Sequence, residues 1–395
     1  MLDSPSIGRR RLLTGSAALM GLGGCAGLRT APPTAVSAVS RLAPVRADLD
    51  RLFDTTVCLR PFRAAGPRLD AETIGDTLVV HNYGHGGSGW SLSWGSGTLA
   101  VAKAMASSPR EVAVVGCGAL GLTAAILAQQ AGARVTIYAR EFLPRTRSAR
   151  ATGSWTPDSR IALANAAQPG FPALWEEMAR TSFKTFRNYL GLPGEPVAWT
   201  DRYFVSEPLL AAISAPAGPS PLNFASYVER IRDIDPQART APPEVSPFPW
   251  AHVRRTSSLQ FNIANYGHTL MADFLAAGGI LQRTEFHTPA DVAALKEKVV
   301  INCPGYGARA LWRDETIVPV RGQIAWLIPQ AEVTYGVFYR NVVMLSRPDG
   351  IVVQSLEGGD MRGYGSDDET PDRSEAEHAV AVIAELYRRR PGAGM

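Results

Sequence analysis

The stretch Glu111-Val112-Ala113-Val114-Val115-Gly116-Cys117-Gly118-Ala119-Leu120-Gly121 runs from a short apolar strand into a helical segment, Leu122 to Ala131, and a second strand follows at Arg134-Val135-Thr136-Ile137-Tyr138. This is the start of a βαβ unit. Gly116 permits the tight turn, Gly118 lets a pyrophosphate approach the backbone, and Gly121 lets helix and strand pack closely. The amides of Ala119 and Leu120 open the helix, whose N-terminus stabilises phosphate charge. Glu141, twenty residues beyond Gly121, is placed to accept hydrogen bonds from a ribose, with Arg140 beside it. A solvated strand-end charge is the other reading of Glu141. Ser148 and Ala151-Thr152-Gly153 follow in a loop that returns toward the strand ends, where open α/β sheets bind ligands. The fingerprint predicts a bound dinucleotide and does not by itself separate FAD from NAD.

The remaining composition is that of an ordinary globular chain: 395 residues, 46% hydrophobic, 19% charged and 8% aromatic, which excludes disorder as the main state. The net charge is +4, and removing residues 1–24, with Arg9, Arg10, Arg11 and Asp3, leaves +2. That balance predicts no nucleic-acid partner. Cys25, Cys58, Cys117 and Cys303 are far apart and lack zinc spacing. His81 and His85 stand four apart, a metal-ligand spacing only on a helix, which Gly84, Gly86 and Gly87 disfavour, so no metal is expected. No GxSxG elbow, HExxH or P-loop lysine is present to carry hydrolase or NTPase chemistry.

At the N-terminus, Arg9-Arg10-Arg11 precedes the apolar run Leu12 to Leu22, which is too short for a permanent membrane span. This resembles a twin-arginine export signal over 1–24. Leu22-Gly23-Gly24-Cys25 resembles a lipobox, which would place a lipid on Cys25; an ordinary cleavage site with an incidental cysteine is the alternative. Residues 25–45 read as a tether. The expected location is the periplasmic side of the membrane, with membrane attachment only through that lipid.

A second glycine-rich string, His81-Asn82-Tyr83-Gly84-His85-Gly86-Gly87-Ser88-Gly89-Trp90-Ser91-Leu92-Ser93-Trp94-Gly95, follows the strand Thr77-Leu78-Val79-Val80 and precedes a helical run, Leu99 to Met105. It reads as a loop whose amides reach a ligand. The string resembles the flavin-cradling loop of the FAD-dependent D-amino-acid oxidases, within the glycine and sarcosine oxidase superfamily. On that resemblance Gly86, Gly87, Ser88, Gly89, Trp90 and Ser91 would touch FAD. Four further segments are similar to parts of the family. Val57-Cys58-Leu59-Arg60-Pro61-Phe62-Arg63 resembles the strand carrying its substrate-carboxylate arginine, which makes Arg60 that residue. Asn302-Cys303-Pro304-Gly305-Tyr306-Gly307-Ala308 resembles its second flavin strand and turn, and Val320-Arg321-Gly322-Gln323-Ile324 its crossover between domains. Gly153-Ser154-Trp155-Thr156-Pro157 is similar to its loop beneath the flavin, and Thr284 to His287, with Phe286, reads as an edge touching the cofactor.

The family's order of segments is changed. The arginine strand and the Gly-rich loop close the chain in the family, whereas here they precede the GxGxxG strand, as in a circular permutation with residues 99–110 as the join. The resemblance implies a mixed α/β fold: a Rossmann-like FAD-binding domain (62–157 and 258–322) interleaved with an antiparallel-sheet substrate domain (46–61, 158–257 and 323–390).

The implied chemistry is hydride transfer from an amino acid or amine to FAD with O2 as acceptor, giving a 2-oxo acid and ammonia. Arg60 would hold the carboxylate as a bidentate guanidinium, a structural ion pair being the other reading. Tyr339 falls where the family places a tyrosine donating to the same carboxylate; as a strand aromatic it would need no function. Val343 and Thr156 depart from the family's pocket, and Arg254, Arg255 and Arg340 are the basic groups open to an acidic substrate. A dehydrogenase serving a quinone and a non-catalytic binding lipoprotein are the competing functions.

Overall fold

The computed structural model describes residues 42–206, 221–241, 248 and 252–388. The expected signal, Cys25 and most of the tether lie outside them. The expected tether limit at residue 45 falls inside packed chain, since Val45 is buried and Leu42 and Ala43 pack against the same core.

The βαβ start leads into a six-stranded sheet ordered β2 (Ala71–Ile74), β3 (Thr77–His81), β10 (Val299–Asn302), β4 (Glu111–Val115), β5 (Arg134–Ala139) and β9 (Ile280–Arg283). All are parallel except the edge strand β2. Burial on both faces explains the unbroken apolar runs of β4 and β10, as parallel sheets require. On one face lie α1 (Gly89–Ala104), α2 (Ala119–Gln130) and α4 (Ile263–Ala276). α2 carries no charged residue, which suits a helix enclosed by sheet and helices.

One expectation is corrected here. The glycine-rich string is not a loop through Gly95: the helix expected from Leu99 begins at Gly89, so Trp90, Ser91 and Gly95 are helical. The reason is packing. A Cβ on Gly95 would lie 2.1 Å from the carbonyl oxygen of Met178, so the glycine marks where α1 and α3 (Phe171–Phe186) touch backbone to backbone.

The second sheet has eight strands, ordered β1 (Leu52–Arg63), β11 (Ile317–Leu327), β14 (Gly350–Ser355), β13 (Val342–Arg347), β12 (Tyr335–Tyr339), β6 (Val197–Ser206), β8 (His252–Phe261) and β7 (Arg239–Thr240). Every pair is antiparallel except β12 with β6. β1, β11 and β8 run across the expected domain limits at 61/62, 322/323 and 257/258. One face is covered by α5 (Arg373–Arg388), which buries Ala376, Ala379, Val380, Ile383 and Leu386 at helical spacing against Val337, Tyr339, Val342, Met344 and Val353. The opposite face presents Ile324, Trp326, Leu345 and Val352. The hydroxyl of Tyr335 bonds both Ala43 O and the Tyr387 hydroxyl at 2.7 Å, so the start of the described chain meets its end.

Arg347 ties this sheet to the loop after β5. Its side chain is fully buried, pairs with Asp349 at 2.5 Å and donates to Ala151 O at 2.7 Å while its guanidinium lies over the Trp326 ring. Arg347→Ala leaves Asp349 without its cation and two carbonyls without a donor. We expect a loss of about 3 kcal/mol in urea unfolding, the cost of breaking a buried pair; an unchanged midpoint would contradict this account.

Candidate flavin and substrate site

All five parallel strands of the six-stranded sheet deliver their C-terminal ends to one cavity of about 430 Å³. β3 contributes His85, Gly86, Gly87, Gly89 and Trp90; β4 contributes Gly116, Gly118, Ala119 and Leu120. β5 supplies Arg140, Glu141, Ser148, Ala151 and Thr152, β9 supplies Thr284 to His287 with Phe286, and β10 supplies Cys303 to Gly307. The far wall is the second sheet: Cys58 to Pro61 on β1 and Gly322 and Ile324 on β11. Convergence at the carboxyl ends of parallel strands is where an open α/β sheet binds its ligand.

The dinucleotide turn is built as the motif predicts. Gly116 has φ +97°, and a Cβ there would stand 2.3 Å from Cys303 O. Gly121 lies behind the cavity wall, where a side chain would strike Gly116 O at 2.0 Å, so its role is packing of helix on strand. Gly118 caps α2 without a side-chain acceptor. Ser148 Oγ accepts from Ala119 N at 3.1 Å, and Ser148 O accepts from the Trp90 indole at 2.8 Å. Arg140 pairs with Glu285 at 3.2 Å at the rim. Phe286 sits edge-on to Tyr138.

Several expected site residues do not reach the cavity wall. Ser88 donates to Ser159 O at 3.2 Å, and Ser91 Oγ accepts from Thr156 N at 2.9 Å, so both hydroxyls hold the 156–159 loop. Gly153 bonds Phe261 N through its carbonyl at 2.7 Å, beside β8. Tyr339 is fully buried in the core under α5. Strand parity explains its placement: Phe338 pairs with Val343, and Val343 with Gln354, so these three share the cavity-side face while Tyr339 points away. Arg254 donates to Ala238 O, Arg255 to Asp201 and Arg340 to Glu385; none lines the cavity.

Arg60 lines the cavity from β1 of the second sheet. Among the described residues it has no ion pair and no hydrogen bond, although burial lowers its pKa from the ordinary value. Its guanidinium lies on Gly322: a Cβ there would fall 2.4 Å from Nη2 and 2.6 Å from Cζ. The guanidinium's fork of donors matches the two oxygens of a carboxylate.

His85 is the residue that sequence reasoning passes over as a binding group. It is 1% exposed, neither ring nitrogen has a hydrogen-bond partner among the described residues, and burial pushes its pKa down to about 3. A neutral imidazole lining the cavity with both nitrogens unmet is a ready partner for polar ligand atoms. His81, by contrast, bonds Glu72 at 2.7 Å and Asn302 at 3.1 Å. Arg147, Arg150 and Thr146 are further lining residues that only the fold brings in, Arg147 being held by a two-point pair with Glu369 at 2.8 and 2.9 Å.

These features fit FAD. The N-terminus of α2, the side-chain-free turn at Gly116 and Gly118, the unmet His85 and Arg60 all line one cavity.

Comparison with known proteins agrees. The family model described as "DAO: FAD dependent oxidoreductase" matches residues 111–393. A D-amino-acid oxidase of Streptomyces coelicolor is 32% identical over 227 residues, covering 54% of this chain and 58% of the relative. A D-amino-acid oxidase of Rubrobacter xylanophilus is 31% identical over 213 residues, covering 53% of this chain and 57% of the relative. The chain thus spans somewhat over half the length of these relatives. Glycine oxidase from Geobacillus kaustophilus, a solved structure, superposes with a TM-score of 0.44 at 14% identity, covering 72% of this chain and 96% of that one. The chain belongs to the DAO family of FAD-dependent oxidoreductases.

Proposed function

We propose that the protein oxidises D-amino acids, with water and O2, to 2-oxo acids, ammonia and hydrogen peroxide, O2 being the final two-electron acceptor. The observation that carries this reading is Arg60, a guanidinium without a counter-charge among the described residues, lining the same cavity as the dinucleotide turn. The D-amino-acid oxidase relatives support the choice of substrate. FAD, when bound, would supply the two-electron acceptor for a hydride from the substrate Cα, and the amine would give up a proton as the imine forms. Arg60 fixes the carboxylate in two-point geometry, and Gly322 leaves the space in which that guanidinium lies flat. His85 meets a polar edge of the bound ligand without carrying charge. Apolar Ile324 and Leu59 limit water on the substrate side. Water then hydrolyses the imine. Oxygen uptake by the purified protein on addition of D-amino acids tests the acceptor. Reduction of an added quinone without oxygen uptake would favour a dehydrogenase instead.

The segments 62–157 with 258–322, and 46–61, 158–257 and 323–390, serve in this reading as FAD-binding and substrate domains. A circular permutation is supported by the family match beginning at residue 111 and by the meeting of Ala43 and Tyr387 on Tyr335. Export and lipidation rest on Arg9 to Cys25. Cys25→Ser is expected to move the protein from the membrane to the soluble fraction; unchanged fractionation would remove the lipid.

A further inference from the structure

Beside the flavin cavity lies a second one of about 240 Å³, and Arg60 and Gly322 line both. Its wall carries four arginines, Arg60, Arg160, Arg321 and Arg362, against a single carboxylate, Glu375. Arg321 and Arg362 share that carboxylate, at 3.6 and 2.7 Å. Arg160, with its side chain 10% exposed, donates through Nε to Asp360 O at 2.8 Å and through Nη2 to Gly359 O at 3.1 Å. Its Nη1 makes no hydrogen bond among the described residues, and the nearest acid, Asp360, is 3.6 Å away and 65% exposed.

The two least compensated cations, Arg60 and Arg160, are near enough to repel. Burial and the charge of Arg60 together lower the pKa of Arg160 to about 10. Their two segments meet at Gly86, whose N donates to Pro61 O, next to Arg60, at 2.8 Å. Gly86 has φ +55°, and a Cβ there would lie 2.0 Å from Arg160 O, so the turn holding His85 accepts the Arg160 backbone directly. A partly buried excess of positive charge is costly unless an anion enters it.

We propose that the second cavity binds a second carboxylate, on the substrate side chain, so that the preferred substrates are acidic D-amino acids. The proposal rests on the reading of Arg60 as the α-carboxylate anchor. From an α-carboxylate on Arg60 the side chain runs into the second cavity, where Arg160 and the Arg321–Arg362 pair receive its terminal charge. Gln354, on the cavity-side face of β14, lines the same wall as a neutral donor. An uncharged side chain of equal size brings no charge to Arg160, whose Nη1 then stays without an acceptor, which is how a charged site discriminates against an isostere.

The test uses the FAD-loaded protein with two isosteric pairs, D-aspartate against D-asparagine and D-glutamate against D-glutamine. kcat/KM is expected to favour the acid at least 30-fold in one pair, and the Arg160→Met variant is expected to lower that ratio at least tenfold, with Arg160→Lys restoring part of it. Amides oxidised as well as acids would overturn the proposal while leaving D-amino-acid oxidation intact. Binding is measured in parallel by perturbation of the flavin spectrum with unreactive succinate and butyrate. Succinate binding at least tenfold tighter, and losing that advantage in Arg160→Met, supports the site even if no D-amino acid is oxidised, an outcome that would remove the reading of the reaction alone. Equal binding of the two would overturn the proposal.

Discussion

Gly118→Val is expected to yield folded protein that purifies without flavin. The backbone at Gly118 is extended, with φ −90° and ψ −164°, so a side chain costs no left-handed strain there. The cost falls on the ligand. A Cβ would stand 2.7 Å from Ser148 Oγ, displacing the group that accepts from Ala119 N, and the remaining atoms of valine would occupy the cavity at the start of α2. A ratio of flavin to protein absorbance reduced at least tenfold, with an unchanged far-UV spectrum, is the expected outcome. Wild-type colour would place the pyrophosphate elsewhere.

Arg60→Ala is expected to spare flavin and remove turnover. The residue lies on β1 of the second sheet, outside the βαβ unit that carries the dinucleotide turn, so cofactor content stays near normal. Truncating one partner of a desolvated charge pair costs about 2–5 kcal/mol, which corresponds to a fall of roughly thirtyfold to several thousandfold in kcat/KM. Gly322→Ala reports on the same contact more gently. Its new Cβ would meet only the mobile end of Arg60, so the fold survives and the guanidinium shifts, with KM expected to rise about tenfold. Unchanged kinetics in both variants would take Arg60 out of the site.

The contrast between what could and could not be read from the chain follows sequence distance. The turn at Gly116 to Gly121 is legible because motif, strand and helix are contiguous, so local rules specify the whole unit. Arg60 is legible through its strand, and Gly322 through the crossover string, though their contact appears only when β1 pairs with β11. Tyr339 fails on parity: residue spacing along one strand does not say which face meets the cavity, and α5 takes the face on which Tyr339 lies. Gly95 fails because a glycine that admits a neighbouring helix looks the same in sequence as one that opens a loop. Arg160, Arg321 and Arg362 come from three separate segments and converge only in the folded chain, whereas the arginines that stood out in sequence, Arg254, Arg255 and Arg340, are committed to other partners. His85 lies inside the glycine-rich string, but its signal is an unmet imidazole in a buried wall, a property of packing that the string does not show.

The most direct test of the account is the visible spectrum of the purified protein before and after anaerobic addition of D-amino acids, acidic ones included. Flavin bands that bleach on addition are the predicted result. Flavin bands that persist with every D-amino acid would contradict the reaction proposed for this site.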